Sequence, residues 1–214
     1  MSWQVNYAIE YINDDLKESG SAVHVNGDAI RVSIRDRPDV LAVISASEKI
    51  SLEIAQRYHH DFPDVDFICG YRKECVWTGE AISYLTSAKI GWGNAGTFYS
   101  ALSNDTLNTA SHKDYFFSYR LITQMRVVKE VERQFDRVFI ITLENNRKLR
   151  VGMLTEYEPT ADSVRTFWGI FGPVDILWNI NPNGSPARNA YEAGSELGCE
   201  VMKWPELKAL ITQK

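Results

Sequence analysis

Residues 173–197, PVDILWNINPNGSPARNAYEAGSEL, constrain the fold of this chain more than any other stretch. An apolar run over 174–180 predicts a buried strand, and the periodic pattern over 186–197 predicts an amphipathic helix. The Asn-Pro-Asn-Gly segment at 181–184 between them is typical of a loop. A buried strand followed by a loop and a helix is typical of open α/β sheets, whose ligands bind beyond the carboxyl ends of the strands.

Length and charge limit the classes of protein to which the chain can belong. Its 214 residues suffice for one large domain or two small ones, and a hydrophobic content of 44% is ordinary for a globular core. A formal net charge of −5 argues against affinity based on non-specific attraction to phosphate backbones. A local basic patch could still bind nucleic acid, so net charge alone does not decide whether nucleic acid is a partner.

Targeting signals and cysteines indicate the compartment. The sequence has no apolar run of membrane-spanning length, and its acidic N-terminus is unlike a signal peptide. Cys69, Cys75 and Cys199 form a sparse, odd set that indicates reduced thiols rather than a disulfide framework. We therefore expect a cytoplasmic protein that has no membrane partner.

The first half of the chain predicts the element order α-β-β-β-α-β. Asn26-Gly27 stands between two runs of strand-forming residues, and both residues tolerate the positive φ that a two-residue hairpin turn requires. An almost wholly apolar run predicts a third strand that is covered on both faces. We expect helices over 3–17 and 48–60, with Ser47 as cap of the second, and strands over 22–25, 29–34, 39–45 and 65–68.

The second half predicts a similar order. Four apolar residues on one stripe, ending at Phe135, predict a long helix over 115–135. A second hairpin is expected around Asn145-Asn146, followed by an extra helix over 161–171. The remaining expected elements are strands over 174–180 and 200–203 and helices over 186–197 and 206–211.

The two halves suggest an internal duplication. A shift of 119 residues aligns Ile9 with Val128 and Asn26 with Asn145. Chance similarity between two amphipathic α/β segments is the alternative, but the turn, the strand faces and the helix stripe agree together.

Beyond the extra helix the alignment needs a different shift. A shift of 136 residues aligns Asp39 with Asp175, and the change of 17 equals the inserted helix. The predicted architecture is α/β with mixed sheets and two related αβββαβ-like halves joined by a polar linker over 103–111. We place the halves at 1–108, with a glycine- and aromatic-rich extension over 70–108, and at 112–214, with an inserted helix over 161–171.

This element order resembles the restriction-endonuclease-like core in its topology. The resemblance implies a carboxylate on the second strand and an acidic-x-lysine motif on the third, which together hold Mg²⁺ or Mn²⁺ and activate water. Asp28 and Asp39 are the candidate catalytic carboxylates, and Lys49 is a candidate substitute for the lysine. The position two after Asp39 is Leu41, however, and the second half has Leu177 there, so the motif is incomplete.

We therefore predict a binding or regulatory module, a degenerate and non-catalytic relative of the nuclease-like fold, for which no cofactor is identified. A metal-dependent nuclease or phosphodiesterase that uses Asp28 and Asp39 is the alternative, and only that alternative requires Mg²⁺ or Mn²⁺.

The loop of the opening stretch is the predicted ligand site. Polar groups there would meet a ligand beside the free N–H groups of the following helix. Asn183 and Ser185 serve equally well as helix caps, with Pro186 in the first turn. The candidate ligand-binding residues are Asp175, Asn181, Asn183, Gly184 and Ser185.

Two weaker patterns could indicate a dinucleotide or a zinc ion, but each is incomplete. Gly91-x-Gly93-x-x-Gly96 matches the dinucleotide fingerprint literally, but no clear strand precedes it, so a tight turn is the simpler interpretation. His59 and His60 lie near two cysteines that lack the close spacing of zinc ligands.

Aromatic residues, 12% of the chain, predict an interaction surface. More of them are present than a central core accommodates, so we expect a protein partner or self-association through aromatic side chains. The seam between the two halves is the alternative use. The residues concerned are Trp77, Trp92, Tyr99, Tyr115, Phe116, Phe117, Tyr119, Phe167, Trp168, Phe171, Trp178 and Trp204.

Overall fold

The computed structural model describes residues 1–107, 110 and 113–212. The chain divides into two compact units, Met1–His112 and Lys113–Lys214. Each unit contains a five-stranded sheet that combines antiparallel and parallel strands. The mixed α/β fold class predicted from the sequence is therefore confirmed.

The first unit begins with a helix and a three-stranded meander. A single 3₁₀ turn, Lys17–Ser19, joins the two. Its elements are α1 (Trp3–Leu16), β1 (Gly20–Asn26), β2 (Ala29–Ile34), β3 (Val40–Ser45), β4 (Lys49–Ile50), α2 (Leu52–Asp61), β5 (Phe67–Gly70), β6 (Val76–Trp77), α3 (Gly79–Ser87), β7 (Gly91–Asn94) and α4 (Ala95–Asn104).

The second unit follows the same plan with fewer short strands. Within the described residues, none of the helices of either unit combines the length and the apolar character needed to cross a bilayer. The elements of the second unit are α5 (Lys113–Thr123), β8 (Val128–Phe135), β9 (Val138–Leu143), β10 (Lys148–Leu154), α6 (Ala161–Phe171), β11 (Ile176–Asn179), α7 (Arg188–Leu197), β12 (Glu200–Met202) and α8 (Trp204–Thr212).

The two sheets have the same topology. In the first unit the order is β1-β2-β3-β5-β7, in which β1 to β3 are antiparallel and β3, β5 and β7 are parallel. In the second unit the order is β8-β9-β10-β11-β12, antiparallel up to β10 and parallel beyond it. Apart from the small β4-β6 pair, both units read α-β-β-β-α-β-α-β-α.

Helices cover both faces of the first sheet. Because side chains alternate along a strand, neighbouring residues such as Phe67 and Ile68 enter different cores. Phe67 packs with residues of α1 and α4, and Ile68 packs with residues of α2 and α3. In the second unit, α5 and α8 cover Trp178 and the strand residues on its side.

The predicted helix over 115–135 is wrong in its second half. α5 ends at Thr123, and Val128–Phe135 form the edge strand β8. Register shifts between Val128 and Glu130 and between Arg133 and Phe135 interrupt its pairing with β9. Each irregularity inserts a residue into the strand, so apolar residues recur every three or four positions as they do in a helix.

Other boundaries differ by a few residues. The helix predicted over 48–60 begins at Leu52 and is capped by the Ser51 side chain rather than Ser47, because residues 49–50 form β4. The predicted linker over 103–111 includes residues 108, 109 and 111, which lie outside the described residues, while its first two residues end α4.

Many backbone hydrogen bonds within the first unit have an equivalent within the second, in which the donor and the acceptor residue both lie 109 positions later. Gly91 N donates to Asp66 O at 2.9 Å, and Glu200 N donates to Asp175 O at 3.0 Å. Other pairs of bonds obey the same shift, among them Ile44 to Asp28 with Met153 to Arg137, Tyr71 to Ser45 with Ile180 to Leu154, Val76 to Glu48 with Ser185 to Tyr157, and Ile90 to Leu85 with Cys199 to Gly194.

This single register replaces the shifts of 119 and 136 expected from the sequence. The shift of 119 places α1 on β8, a helix on a strand. The shift of 136 aligns Asp39, which precedes the third strand of its sheet, with Asp175, which precedes the fourth. α6 is the counterpart of α2 and not an inserted helix, because both connect the third strand to the fourth.

Candidate functional site

Asp28 and Asp39 lie at opposite ends of β3. The Asp28 carbonyl accepts a hydrogen bond from Ile44 N at 2.8 Å, whereas Asp39 directly precedes the first residue of the strand. Five residues of extended chain separate the two ends, which is roughly 17 Å. Asp39 instead lies 3.9 Å from Arg31. The structure does not bring the predicted carboxylate pair together, so the two cannot share one metal ion.

The third strand offers no ligand beside Asp28. Val43 and Ile44, the residues of β3 nearest to it, are both fully buried. Lys49 lies beyond the strand, in β4. Within the described ranges, no group of three or more His, Cys, Asp or Glu side chains is arranged to hold a metal ion.

Asp28 takes part in a buried hydrogen-bond chain. The Tyr58 hydroxyl donates to Asp28 Oδ2 at 3.2 Å and lies 3.0 Å from Ser45 Oγ, which also accepts from Ser47 N at 3.2 Å. Ser45 is fully buried and therefore closed to a substrate. The chain joins β3, α2 and the β1–β2 turn, so its role is structural.

Asp175 is part of a different structural network. Its Oδ2 accepts from Arg150 N at 2.6 Å. The Arg150 guanidinium donates to Gln134 Oε1 at 2.7 Å, to Phe171 O at 2.7 Å and to Pro173 O. Burial lowers the pKa of this guanidinium, and the Asp175 carboxylate acts in the opposite direction.

The position of Asp175 separates it from the other predicted ligand residues. It precedes β11, while the loop with Asn181, Asn183, Gly184 and Ser185 follows that strand. The structure therefore places the five predicted residues at two opposite ends of one strand.

Hydrogen bonds donated by backbone N–H groups hold the loop after β11. Asn181 N donates to Asn179 Oδ1 at 3.0 Å, and Asn183 N donates to Asn181 Oδ1 at 3.1 Å. Ser185 N donates to Tyr157 O at 2.8 Å. A Cβ on Gly184 would lie 2.3 Å from that same carbonyl oxygen, so only glycine fits.

The loop residues do not cap the next helix. α7 begins at Arg188, and its N-cap is Ala187, whose side chain cannot accept a hydrogen bond. The expectation that Asn183 or Ser185 caps a helix with Pro186 in its first turn is therefore wrong. Residues 185–187 remain extended because Ser185 N and Ala187 N bond to the segment after β10.

Asn179 is the unusual polar residue at this end of the sheet. Its side chain is 2% exposed, and its Oδ1 accepts from Asn181 N. Its Nδ2 has no hydrogen-bond partner in the described part of the chain. An orphan amide donor costs about 1–3 kcal/mol, which makes this atom a point where a small acceptor would stabilise the fold.

Five aromatic side chains form one surface on the first unit, which we call the aromatic surface: Trp3, Tyr7, Tyr11, Tyr71 and Tyr99. Trp3, Tyr7 and Tyr11 follow one another along α1 and are 67%, 47% and 45% exposed. The ring centroids of Trp3 and Tyr7 lie 5.4 Å apart, and those of Tyr7 and Tyr71 lie 6.4 Å apart. Tyr11 stacks on Tyr99 at 4.4 Å.

Hydrogen bonding orders the inner part of this surface. The hydroxyl oxygens of Tyr71 and Tyr99 lie 2.6 Å apart. Burial raises the pKa of both phenols; the shared hydrogen bond raises the pKa of Tyr99 further and lowers that of Tyr71. The hydrogen bond therefore couples the two phenols, and either hydroxyl can be its donor.

A cleft of about 280 Å³ borders the aromatic surface between α1 and α4. Tyr11 and Tyr99 belong to its wall, together with Asp15 from α1. Arg37 also lines the cleft, and its Nη1 donates to Leu102 O in α4 at 2.8 Å.

Helix α1 beside the aromatic surface is acidic, whereas the adjoining cleft is lined by Arg35 and Arg37 as well as Asp15. α1 carries Glu10, Asp14 and Asp15 and contains no Lys or Arg. The first unit has nine Lys and Arg against fifteen Asp and Glu, a formal charge of −6, while the second has fourteen against thirteen, a formal charge of +1.

Half of the twelve aromatic residues singled out from the sequence are core residues. Trp77, Trp92 and Trp178 are 3%, 5% and 2% exposed. Phe116, Phe117 and Tyr119 on α5 are exposed, at 60%, 57% and 36%. The three that are only partly buried are Tyr99, Trp168 and Trp204. The expected aromatic surface therefore consists mainly of residues other than those predicted.

The sequence contained a signal for the missed residues. Trp3, Tyr7 and Tyr11 recur at intervals of four within a predicted helix whose apolar stripe is already supplied by Val5, Ala8 and Ile12. Large aromatic residues on the solvent-facing side of an amphipathic helix indicate a surface that binds another molecule.

The glycine pattern has a structural role. Gly91 and Gly93 lie within β7, and Gly96 lies in the first turn of α4, which Asn94 caps. A Cβ on Gly91 would lie 1.8 Å from Leu107 O, so close packing requires this glycine. His59 bonds to the Tyr84 hydroxyl at 2.8 Å, which accounts for its position.

Comparison of the chain with protein-family models, with curated proteins and with solved structures finds no match in any of the three.

Proposed function

We propose that this protein is a non-catalytic binding module that recognises another protein through the aromatic surface of its first unit. The observation that carries the proposal is the exposure of Trp3, Tyr7 and Tyr11 in a continuous row. Tryptophan and tyrosine are enriched at protein interfaces because they combine a large apolar area with polar atoms.

The row supplies enough energy for recognition. Covering roughly 100 Å² on each half-exposed ring contributes about 2.5 kcal/mol per ring at 25 cal/mol per Å². The stacking of Tyr11 on Tyr99 and the bond between Tyr99 and Tyr71 already order these side chains. Little rotamer freedom is then lost on binding, so more of the contact energy appears as affinity.

Site-specific photocrosslinking in the native host tests the proposal. A photoreactive phenylalanine analogue at position 7 should form an adduct with one defined protein, identified by mass spectrometry. The same analogue at position 157 is the control, because Tyr157 is 69% exposed and lies outside the aromatic surface. Tyr11→Ser should abolish the adduct at position 7. Equal labelling at 7 and 157 would contradict the proposal.

We also propose that the two units arose by duplication of one ancestral unit. The shared topology and the hydrogen bonds that recur at a shift of 109 residues support it. A constant shift without insertions is expected of two copies that kept their loop lengths. Separate expression tests a consequence: fragments 1–112 and 113–214 should each unfold cooperatively, and a fragment without a cooperative transition would contradict it.

The αβββαβ order of each unit supports the proposed kinship with the restriction-endonuclease-like core. The apolar residues Val43 and Ile44 beside Asp28 support a degenerate, non-catalytic relative. No observation favours the nuclease alternative. Cleavage of DNA or RNA with Mg²⁺ or Mn²⁺ that Asp28→Asn abolishes would overturn this part of the proposal.

The orphan amide of Asn179 supports a second candidate function, small-ligand binding at the loop that contains Asn181, Asn183, Gly184 and Ser185. A thermal-shift panel of nucleotides, sugar phosphates and amino acids tests it, since a ligand at a hundredfold its dissociation constant adds about 2.7 kcal/mol. Asn179→Leu should remove the shift, and Asp175→Asn, at the other end of β11, should retain it. A flat panel would contradict this function.

A cytoplasmic location belongs to the same proposal. Cys69, Cys75 and Cys199 are free and buried, as is typical of proteins in a reducing compartment. Cell fractionation with an antibody against the protein tests it, and recovery in a secreted or periplasmic fraction would contradict it.

A further inference from the structure

We infer that the protein self-associates, with the exposed face of α5 in one copy seated on the aromatic surface of a second copy. The inference rests on the proposed function and names the partner. We call the residues Phe116, Phe117 and Arg120 the α5 face.

The α5 face is built to make a contact. Phe116 and Phe117 are 60% and 57% exposed, although other phenylalanines such as Phe139 are fully buried. Arg120 follows them by four and three residues, so its side chain emerges between the two rings on the helix surface. Two exposed rings that flank a guanidinium are typical of the centre of a protein interface.

The aromatic surface complements this face in both charge and chemistry. Asp14 follows Tyr11 by three residues on α1 and is exposed, so it lies next to the aromatic row. Arg120 can pair with Asp14 or lie over a tyrosine ring, and both contacts strengthen as water is excluded. The formal charges of the two units, −6 and +1, favour the approach of α5 toward α1 rather than α1 toward α1.

Each copy carries both surfaces, the aromatic surface on its first unit and the α5 face on its second. A twofold dimer would therefore use the same contact twice. Two contacts double the buried area, which matters because a stable interface buries about 1,200 Å² or more in total. If each copy instead bound one neighbour through its α5 face and a different neighbour through its aromatic surface, larger head-to-tail assemblies would form.

Sedimentation velocity on the purified full chain, from about 1 to 300 μM, tests the inference through a charge-reversal cycle. Asp14→Arg and Arg120→Asp should each raise the dissociation constant about tenfold, a size within the range for close charge pairs. The double variant should return to within about threefold of wild type, because the pair is restored with its polarity reversed. Arg188→Asp is the control, since Arg188 lies 93% exposed on α7.

Circular dichroism of each variant checks that it folds, and Phe117→Ser should weaken association without a charge change. Recovery in the double variant supports the inference, and additive losses or a monomer at every concentration overturn it. A wild-type monomer combined with a Tyr11-dependent adduct at position 7 to another protein overturns the inference but leaves the proposed function standing. If neither association nor an adduct is seen, both fail.

Discussion

The carboxylate of Asp66 accepts a hydrogen bond from Leu41 N at 2.9 Å, and Asp66 N donates to Leu41 O at 2.8 Å. The residues 109 positions later repeat the arrangement, with Asp175 Oδ2 accepting from Arg150 N at 2.6 Å and Asp175 N donating to Arg150 O at 2.9 Å. In each unit one aspartate thus joins the third strand of the sheet to the start of the fourth. It does so through both its backbone and its side chain.

Asp66→Ala and Asp175→Ala should each lower the free energy of unfolding by about 1–3 kcal/mol, because each leaves a backbone N–H without its charged acceptor. Urea unfolding followed by circular dichroism measures the change. Asp39→Ala is the control: Asp39 lies 3.9 Å from Arg31 and both side chains are about half exposed, so about 0.5 kcal/mol or less is expected. A loss of equal size in all three variants would contradict this assignment.

Asn13 protects the edge of β1. Its Oδ1 accepts from Ala22 N at 2.6 Å and its Nδ2 donates to Ala22 O at 3.2 Å, so one side-chain amide replaces a neighbouring strand. Asn13→Ala should cost about 1–3 kcal/mol and should increase aggregation, because an open strand edge is a template for pairing. Urea unfolding and light scattering measure the two effects.

Asn13→Asp provides the graded comparison for this edge. Its carboxylate still accepts from Ala22 N but cannot donate to Ala22 O, so its stability should fall between those of wild type and the alanine variant. An aspartate variant less stable than the alanine variant would contradict the account.

Gly91 and Gly169 should respond oppositely to the same substitution. Nothing lies within 4 Å of a Cβ on Gly169, an exposed position inside α6, so Gly169→Ala should stabilise by about 0.5–1 kcal/mol. A Cβ on Gly91 would lie 1.8 Å from Leu107 O, so Gly91→Ala should destabilise by about 3 kcal/mol or more. Urea unfolding of both variants measures the contrast, and a stable Gly91→Ala protein would contradict the packing of β7.

Stability should fall in alkaline solution through Tyr71 and Tyr99. Burial raises the pKa of both phenols in the folded state. Above the unfolded pKa of about 10, the folded protein binds more protons than the unfolded chain, so the unfolding free energy decreases as pH rises. Tyr99→Phe should flatten this decline between pH 9 and 11, as followed by urea unfolding. Tyr157→Phe, at a position 69% exposed, should leave the decline unchanged.

Local patterns predicted most elements of the fold. The first hairpin forms one residue later than expected: Asn26 ends β1 and pairs with Ala29, so the turn is Gly27-Asp28, with Gly27 at φ 52°. The amphipathic stripe of α1 is buried as its spacing indicates. β8 was predicted to be a helix because two register irregularities give this strand the apolar spacing of a helix. The alignment of the halves failed for a related reason, since helices and strands with similar stripes can be matched at several shifts.

The candidate site was less predictable. Asp28 and Asp39 are eleven residues apart in sequence, but the antiparallel pairing of β2 with β3 places them at opposite ends of a strand. Tyr71 and Tyr99 are 28 residues apart, yet their hydroxyls are in direct contact. Neither relationship is contained in local periodicity, because both depend on which strands pair and on which helix crosses which sheet face.

Local sequence patterns specified the mixed α/β class, the presence of the two hairpins and the buried stripe of α1. These features depend on interactions between residues a few positions apart, which composition and spacing record directly. Local patterns did not specify which strands are parallel, which shift aligns the hydrogen bonds of the two units, or which aromatic residues remain exposed. Those outcomes depend on hydrogen bonds and packing between residues far apart in the chain, so several locally equivalent patterns compete until the sheet order selects among them.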